Sequence, residues 1–359
     1  MKRFQYGLGL ACLLALVNLS TASPRLNEVQ VIGTHNSYHL EPGSVETTLI
    51  RKVSENQAKS LAYSHPPLSE QLDMGIRQFE LDLYPDPDGG RYAKPAAFAA
   101  AKLAGIGKPE EHDPEGALLK PGIKVLHHPD FDFRTTVLTL KAAIKEIASW
   151  SEAHPNHHPI MVLLELKGGE DRWSNAGIHE MEAVILEAVD RKQLLTPDDV
   201  RGTSDDLRTA LMTTGWPELE HCQGKIMLAL DNEGSIRDEY SSADPQLKNR
   251  LIFPSAKNAE EPTAGWFKVN DAKKDFDKIQ RLVKAGFLVR TRADISLKEG
   301  RNNDSSRRDQ AFASGAQFVS TDFPEARKEI GPYRVRFSDD QFVRANPLLL
   351  EPAPTRDQE

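Results

Sequence analysis

Cysteine is nearly absent from this chain of 359 residues, which contains only Cys12 and Cys222. We expect the N-terminal segment that carries Cys12 to be removed, so the mature chain would keep a single thiol. An intramolecular disulfide is then excluded, and the fold must rest on its core or on a bound metal. We expect Cys222 to be a buried, unreactive thiol.

Long apolar runs are also lacking beyond the N-terminus. Two basic residues precede a short apolar stretch over 8–19, and small residues follow it, as is typical of a secretory signal peptide. We expect cleavage after residues 1–22 and a secreted or periplasmic protein. A lipoprotein anchored through Cys12 is less favoured, because Gly9 stands where a branched apolar residue is wanted. No other segment is long and apolar enough to span a bilayer.

An excess of positive charge is missing as well. The formal net charge is −8, so we expect no nucleic-acid partner, and the charge gives no general attraction to anionic membranes. No repeat or low-complexity linker divides the chain, and 39% hydrophobic residues suffice for one large core. We expect a monomer with one domain over 23–331 and a tail over 332–359 that packs on it or is partly disordered.

Short apolar runs alternate with amphipathic helical patterns. We predict strands over 28–35, 75–84, 124–128, 160–167, 225–230, 251–255, 287–294 and 317–322. The clearest helical patterns cover 136–154, 175–192 and 271–285. This alternation predicts an α/β fold, a distorted TIM-type (β/α)8 barrel. The segment 85–122 is a long insertion, typical of a lid or binding loop.

The most informative feature is a pair of acids, Glu80 and Asp82, in the second predicted strand. Residues i and i+2 of a strand share a face, so the two carboxylates point into the same environment. Adjacent buried acids repel one another and lose their hydration, and a bound cation is the simplest remedy.

Further polar residues end neighbouring predicted strands, where active sites of barrels lie. His35 and Asn36 end the first, His127 and His128 the third, and Glu165 the fourth. Amide and carboxylate oxygens suit calcium or magnesium. Zinc is not indicated, because the sequence has no HExxH motif and no paired cysteines.

A hard cation flanked by imidazoles suits phosphodiester cleavage. The cation offsets charge that develops on a phosphoryl oxygen, one group takes a proton from the nucleophile, and another protonates the leaving alkoxide. His35 and His127 are free for this proton transfer. The choice between His127 and its neighbour His128 depends on the register of the third strand.

The residues resemble the catalytic region of phosphoinositide-specific phospholipases C. The matching segments are Thr34-His35-Asn36-Ser37, Phe79-Glu80-Leu81-Asp82, Val125-Leu126-His127 and Leu164-Glu165. The later segments 289–294 and 313–322 resemble the secreted, calcium-dependent bacterial-type branch. The resemblance implies a PLC-like phosphodiesterase barrel, Ca2+ as cofactor, and a phospholipid substrate at a membrane surface that is cleaved to diacylglycerol and an inositol phosphate.

The resemblance also implies residue roles. Four residues match calcium ligands: Asn36, Glu80, Asp82 and Glu165. His35 matches the histidine that acts on the attacking 2-hydroxyl, a role that a metal-bound carboxylate could share. His127 matches the general acid. We expect Lys167 and Arg292 to bind the substrate.

Structural alternatives stay open at this point. Glu80 and Asp82 could pair with Arg77 or Arg292 instead of a metal, although Arg77 is offset to the other face of the strand. Glu165 could pair with Lys167, two residues on. Alternating charges at 290, 292 and 294 could contact phosphate and inositol hydroxyls or form an internal ion-pair ladder. For Asp231 and its neighbours, a surface loop is favoured.

Two other functions compete with a phospholipase C. Glycerophosphodiester phosphodiesterases and related lysophospholipase D-like enzymes also carry Glu-x-Asp after the second strand, but they usually open with His-Arg-Gly where this chain has His35-Asn36-Ser37. A non-catalytic barrel that binds calcium is the second alternative.

Overall fold

The computed structural model describes residues 23–169 and 172–350, so the expected signal peptide lies outside the described residues. The strands within the described residues are β1 (Val29–Thr34), β2 (Gln78–Asp86), β3 (Gly122–Val125), β4 (Ile160–Leu166), β5 (Leu194–Leu195), β6 (Ile226–Leu230), β7 (Ile252–Pro254), β8 (Trp266–Asp271), β9 (Leu288–Arg292), β10 (Phe318–Thr321) and β11 (Val343–Ala345). The α-helices there are α1 (Ser44–Val53), α2 (Glu55–Ser60), α3 (Leu68–Met74), α4 (Ala96–Ala104), α5 (Leu140–Ala153), α6 (Asn175–Leu186), α7 (Pro197–Arg201), α8 (Leu207–Thr213), α9 (Leu219–Cys222), α10 (Ser235–Ala243), α11 (Phe276–Lys284), α12 (Lys298–Asn302) and α13 (Ser306–Ala313).

Eight strands pair in parallel and form a ring in the order β1, β2, β4, β6, β7, β8, β9, β10. The ring closes where Ser255, directly after β7, pairs in parallel with Trp266. The predicted α/β barrel of TIM type is confirmed. It is distorted between β1 and β2, which share a single register pair, Gly33 with Gln78.

The C-terminal strand explains this distortion. β11 pairs antiparallel with the first half of β1, from Val29 to Val31, so β2 meets β1 only near its carboxyl end. Phe342, directly before β11, is buried and packs so close to Gly75 that a Cβ there would lie 2.8 Å from its ring. The chain after the last barrel strand therefore fills the seam between the first two strands.

The third predicted strand, 124–128, is present only as Gly122–Val125, and its predicted place in the barrel is wrong. The strand ends at Val125 and runs antiparallel to β2, because β2 continues to Asp86 beyond the barrel and β3 pairs with that extension. The barrel strand that the sequence did not reveal is β8. Its inward positions carry polar side chains, Lys268 and Asn270, which hide the apolar pattern of a buried strand.

The barrel wall is apolar on its outer face and polar inside, near its carboxyl end. Phe79, Leu81 and Leu83 of β2 are fully buried against the surrounding helices, whereas Glu80 and Asp82 point inward. Strands of parallel barrels are covered on both faces. Cys222 is buried with a free thiol, as predicted.

The insertion over 85–122 is more regular than the sequence suggested. It contains α4, whose Ala97 and Ala101 are fully buried in a small second core with Leu49 of α1 and Phe133. This packing holds α1 and α4 together beside the barrel mouth. No helix among the described residues is long and apolar enough to cross a bilayer.

Candidate active site

Three carboxylates meet at the carboxyl end of the barrel on two adjacent strands. Glu80 and Asp82 lie two residues apart on β2, and Glu165 of β4 is the register partner of Asp82. One oxygen of each lies within 4.8 Å of the others. Side chains on one strand face and in one register are neighbours. The structure thus brings together three of the four predicted metal ligands.

Burial makes this cluster unfavourable without a cation. Asp82 is fully buried, and neither of its carboxylate oxygens has a hydrogen-bond partner among the described residues. Burial raises the pKa of Asp82 well above its usual value, and the charge of Glu165 raises it further. Burial also raises the pKa of Glu80 to about 7. A divalent cation would remove these costs, and an all-oxygen donor set fits calcium.

Two side-chain cations contact the cluster from opposite sides. The Arg290 guanidinium binds the Glu80 carboxylate. The Lys167 ammonium lies 2.7 Å from Glu165 Oε1 and 3.3 Å from Asp82 Oδ2. The alternative pairing of Glu165 with Lys167 is therefore present.

The predicted alternative partners of the acid pair are wrong. Arg292 binds Asp322 Oδ2 at 3.1 Å instead of Glu80 or Asp82. Arg77 donates to backbone carbonyls at the end of α3, outside the barrel. The ladder alternative holds in part: Arg290 and Arg292 form ion pairs inside the barrel, but Asp294 accepts hydrogen bonds from Thr321 Oγ1 and the Asp322 backbone N–H.

Asn36, the fourth predicted ligand, lies in the turn directly after β1 with a left-handed backbone, φ 44°. Its amide nitrogen donates to the Tyr63 hydroxyl at 3.1 Å, which leaves the amide oxygen as its donor atom for a cation. The next residue ties the turn to β2: Ser37 N donates to the Glu80 carbonyl at 3.0 Å, and Glu80 N donates to Ser37 Oγ at 2.8 Å.

His35 lies between a carboxylate and the cluster. Its Nδ1 is 2.8 Å from Asp322 Oδ1, and its Nε2 is 3.9 Å from Glu80 Oε1. Burial and the nearby Arg292 lower the pKa of His35 to about 3, although Asp322 opposes them. The imidazole is therefore neutral near pH 7. With Nδ1 donating to Asp322, Nε2 is the nitrogen that accepts a proton.

His127 lies on the other side, in the loop after β3. Its Nδ1 is 2.5 Å from Asp132 Oδ2. Burial lowers the pKa of His127, but the hydrogen bond and the charge of Asp132 outweigh this and raise it. The buried His39 holds Asp132 from behind, with Nε2 at 2.9 Å from Oδ1 and Nδ1 at 3.0 Å from the Tyr63 carbonyl. The neighbouring His128 is exposed.

Sequence reasoning missed several residues of this site. Asp322 directly follows β10, so its place at a strand end was a usable signal. Asp132 and His39 lie in loops, and nothing in the local sequence links them to His127. Asp231 was assigned to a surface loop, which is wrong: it is buried, and Lys268 Nζ lies 2.8 Å from its Oδ2.

An apolar groove of about 520 Å³ opens beside His127. Its walls come from α1, α2 and the loop after β3. Its apolar lining comes from five side chains: Leu49, Ile50, Val53, Leu61 and Phe131. Polar side chains line the rest, among them His127, His128, Asp132 and Lys167. Leu49 and Ile50 on the apolar face of α1 are buried, whereas Val53 on the same face is 84% exposed. The apolar face of this helix therefore extends from the core to the groove.

The fold and the carboxylate cluster define a class: a TIM-type barrel with three clustered carboxylates at its mouth. Comparison with known proteins gives the family. The family described as "Phosphoinositide phospholipase C, Ca2+-dependent" matches residues 24–347, and the chain belongs to this family of calcium-dependent enzymes. The resemblance predicted from the sequence, the enzyme class and the cofactor are thereby confirmed. No curated protein sequence matches the chain.

Solved structures support the fold. A calcium-dependent phosphoinositol-specific phospholipase C from Pseudomonas sp. is similar with a TM-score of 0.56 and 17% identity, over 90% of this chain and 97% of that one. Its myoinositol complex is similar with a TM-score of 0.57 and 16% identity, over 90% of this chain and 96% of that one. A Ca2+-dependent phosphatidylinositol-specific phospholipase C from Streptomyces antibioticus is similar with a TM-score of 0.54 and 16% identity, over 84% of this chain and 95% of that one.

Proposed function

We propose that this protein cleaves the phosphodiester of phosphatidylinositol-type lipids to diacylglycerol and an inositol phosphate, by acid–base catalysis with His35 and His127. The single observation that carries the proposal is the cluster of Glu80, Asp82 and Glu165 between two histidines whose Nδ1 atoms face carboxylates. Two imidazoles oriented in this way offer their Nε2 atoms for proton transfer on either side of a cation site.

Four residues would hold the calcium: Asn36, Glu80, Asp82 and Glu165. When bound there, calcium supplies positive charge for a phosphoryl oxygen. Asp82 supports this assignment, because it is buried, neither of its oxygens accepts a hydrogen bond among the described residues, and the Lys167 ammonium reaches Oδ2 only at 3.3 Å. Asn36 lies in the turn that the hydrogen bond between Ser37 and Glu80 ties to β2, and its amide oxygen remains available because the amide nitrogen donates to Tyr63.

The histidines take opposite roles in this proposal. His35 is neutral and accepts the proton of the attacking inositol 2-hydroxyl at Nε2, while Asp322 fixes its tautomer. His127, in its protonated form, delivers its Nε2 proton to the diacylglycerol oxygen, and Asp132 favours that form by raising the pKa of His127. The negative charge of Asp322 also stabilises the imidazolium that forms on His35. Arg292, bound to Asp322, lies within reach of the head group.

The groove beside His127 supports a lipid as the leaving group. The proposed acid lines an apolar groove, so an alkoxide protonated there carries its chains along Leu49, Ile50 and Phe131. A small water-soluble leaving group, such as glycerol, gains nothing from this surface. The exposed Val53 extends the groove toward the membrane from which the substrate comes. The proposal includes export directed by residues 1–22.

A product analysis tests the proposed function. The protein is incubated with calcium and either phosphatidylinositol vesicles, glycerophosphoinositol or glycerophosphocholine, and the products are identified by mass spectrometry. We expect diacylglycerol from phosphatidylinositol and little turnover of the two glycerophosphodiesters. His127→Ala should lower the rate by about 100-fold or more while calcium binding persists. Preferential glycerophosphodiester cleavage would favour that phosphodiesterase instead, and no turnover of any substrate would favour a binding protein.

A further inference from the structure

Lys167 occupies an unusual position at the cation site. It directly follows β4, its backbone N–H donates to the Leu83 carbonyl at 2.8 Å, and its own carbonyl accepts from Trp173 Nε1 at 2.8 Å. These bonds fix its backbone. The side chain turns back over the strand end, so that Nζ lies between Glu165 and Asp82, at 2.7 Å and 3.3 Å.

The Lys167 ammonium contacts the carboxylate oxygens of Asp82 and Glu165 that would bind calcium. Among the described residues, Asp82 Oδ2 accepts no hydrogen bond, and its contact with Lys167 is an ion pair. The same ammonium lies 2.7 Å from Glu165 Oε1, so it bridges two of the proposed calcium ligands. Calcium takes carboxylate oxygens at about 2.4 Å. A cation on these oxygens would thus meet strong repulsion from Nζ.

The second cation at the cluster behaves differently. The Arg290 side chain is 1% exposed and is held by both Glu80 and Asn270 inside the barrel, so it has no space to leave. The Lys167 side chain is 27% exposed and already forms part of the groove wall beside His127. Of these two cations, Lys167 is the one whose charged group can leave by rotating its side chain toward the groove.

We propose that Lys167 is an internal competitor for the calcium site: its ammonium and calcium use the same oxygens of Asp82 and Glu165, and calcium binding drives Nζ into the groove beside His127. The inference rests on the calcium ligands assigned under the proposed function. The competition lowers the calcium affinity of the protein. The displaced Lys167 ammonium then lies where the phosphodiester would bind.

Calorimetry on a charge-deleting variant tests the competition. Lys167→Met removes the ammonium and adds no oxygen ligand, and calcium affinity is measured by isothermal titration without substrate. We expect binding to tighten by about tenfold, the typical scale of a partly buried ion pair. Lys268→Met is the matched control, because it removes the same charge at the mouth from a lysine that contacts Asp231 instead of Asp82 or Glu165. Lys268→Met should tighten calcium binding less than Lys167→Met does.

Lysine footprinting of the wild-type protein tests the displacement and does not depend on folding of the variant. The chain is acetylated briefly with and without calcium, and modification is quantified by mass spectrometry. Calcium should increase acetylation of Lys167 and leave that of the exposed Lys192 unchanged. Equal calcium affinity in the two methionine variants, or unchanged or reduced acetylation of Lys167, would overturn the inference. Both measurements are made without hydrolysis, so a failure of the proposed phospholipase activity is recognised separately.

Discussion

His35 and His127 both have a carboxylate at Nδ1, yet their surroundings shift their pKa values in opposite directions. Burial and Arg292 lower the pKa of His35, whereas Asp132 overcomes burial and raises that of His127. The imidazole of His35 is therefore held neutral near pH 7, whereas Asp132 favours the protonated form of His127. Two groups whose environments separate their pKa values are suited to the roles of base and acid in one reaction.

Asp132→Asn tests this residue-scale account. The proposed acid works when protonated, so activity is present below the pKa of His127 and is lost as pH rises through it. The substitution removes the charge that raises this pKa, and the alkaline limb of kcat/KM should move to lower pH. The measurement is diacylglycerol release across pH.

Asp130→Asn is the control for that profile. Asp130 lies in the same loop but is exposed and accepts from the Ala96 backbone N–H at 3.1 Å, away from His127. The alkaline limb of kcat/KM in Asp130→Asn should match that of the wild type. An unshifted limb in Asp132→Asn would contradict the role given to His127.

At the scale of elements, the seam between β1 and β2 is the least regular part of the barrel. The two strands share one register pair, and a Cβ on Gly33 would lie 2.1 Å from the buried Gln78 Oε1 and 2.6 Å from its Cβ. Glycine is needed here because the strands approach so closely. His35 directly follows β1 and Glu80 lies on β2, so the geometry of the seam sets their separation.

Gly33→Ala should therefore destabilise the fold by about 2 kcal/mol through overpacking at this seam, measured as the free energy of unfolding in urea. Gly177→Ala is the matched control, because the nearest atom to its added Cβ is 3.7 Å away and the residue lies in α6. That variant should be neutral or up to about 1 kcal/mol more stable. Equal stability of the two variants would refute the close-approach argument.

How far the sequence predicted the structure depends on the range of each interaction. Alternation along β2 placed Glu80 and Asp82 on one face, because that rule needs only neighbouring residues. The pairing of Arg290 with Glu80 spans 210 positions and depends on barrel closure, which no local pattern encodes. The sequence did not predict β8, because its inward residues, Lys268 and Asn270, are polar and contact side chains of the site. The prediction placed β3 in the barrel, but β3 pairs with an extension of β2.

For the whole molecule, the balance of charge at the mouth explains why calcium matters. Four cations there are each paired with a carboxylate: Arg290 with Glu80, Arg292 with Asp322, Lys167 with Glu165 and Lys268 with Asp231. The whole chain carries a net charge of −8. The carboxylates offset part of the charge of these four cations, and a divalent ion at the carboxylate cluster would add positive charge for an anionic phosphodiester.

The most direct test of this account is diacylglycerol release from phosphatidylinositol vesicles at buffered free calcium, compared between the wild type and Asp82→Asn. Chelation should lower the wild-type rate by about 100-fold or more, and added calcium should restore it. Asp82→Asn should need at least about tenfold more calcium for half-maximal activity. Release that the chelator leaves unchanged, or a variant with the calcium dependence of the wild type, would contradict the central claim that this carboxylate cluster holds the catalytic calcium.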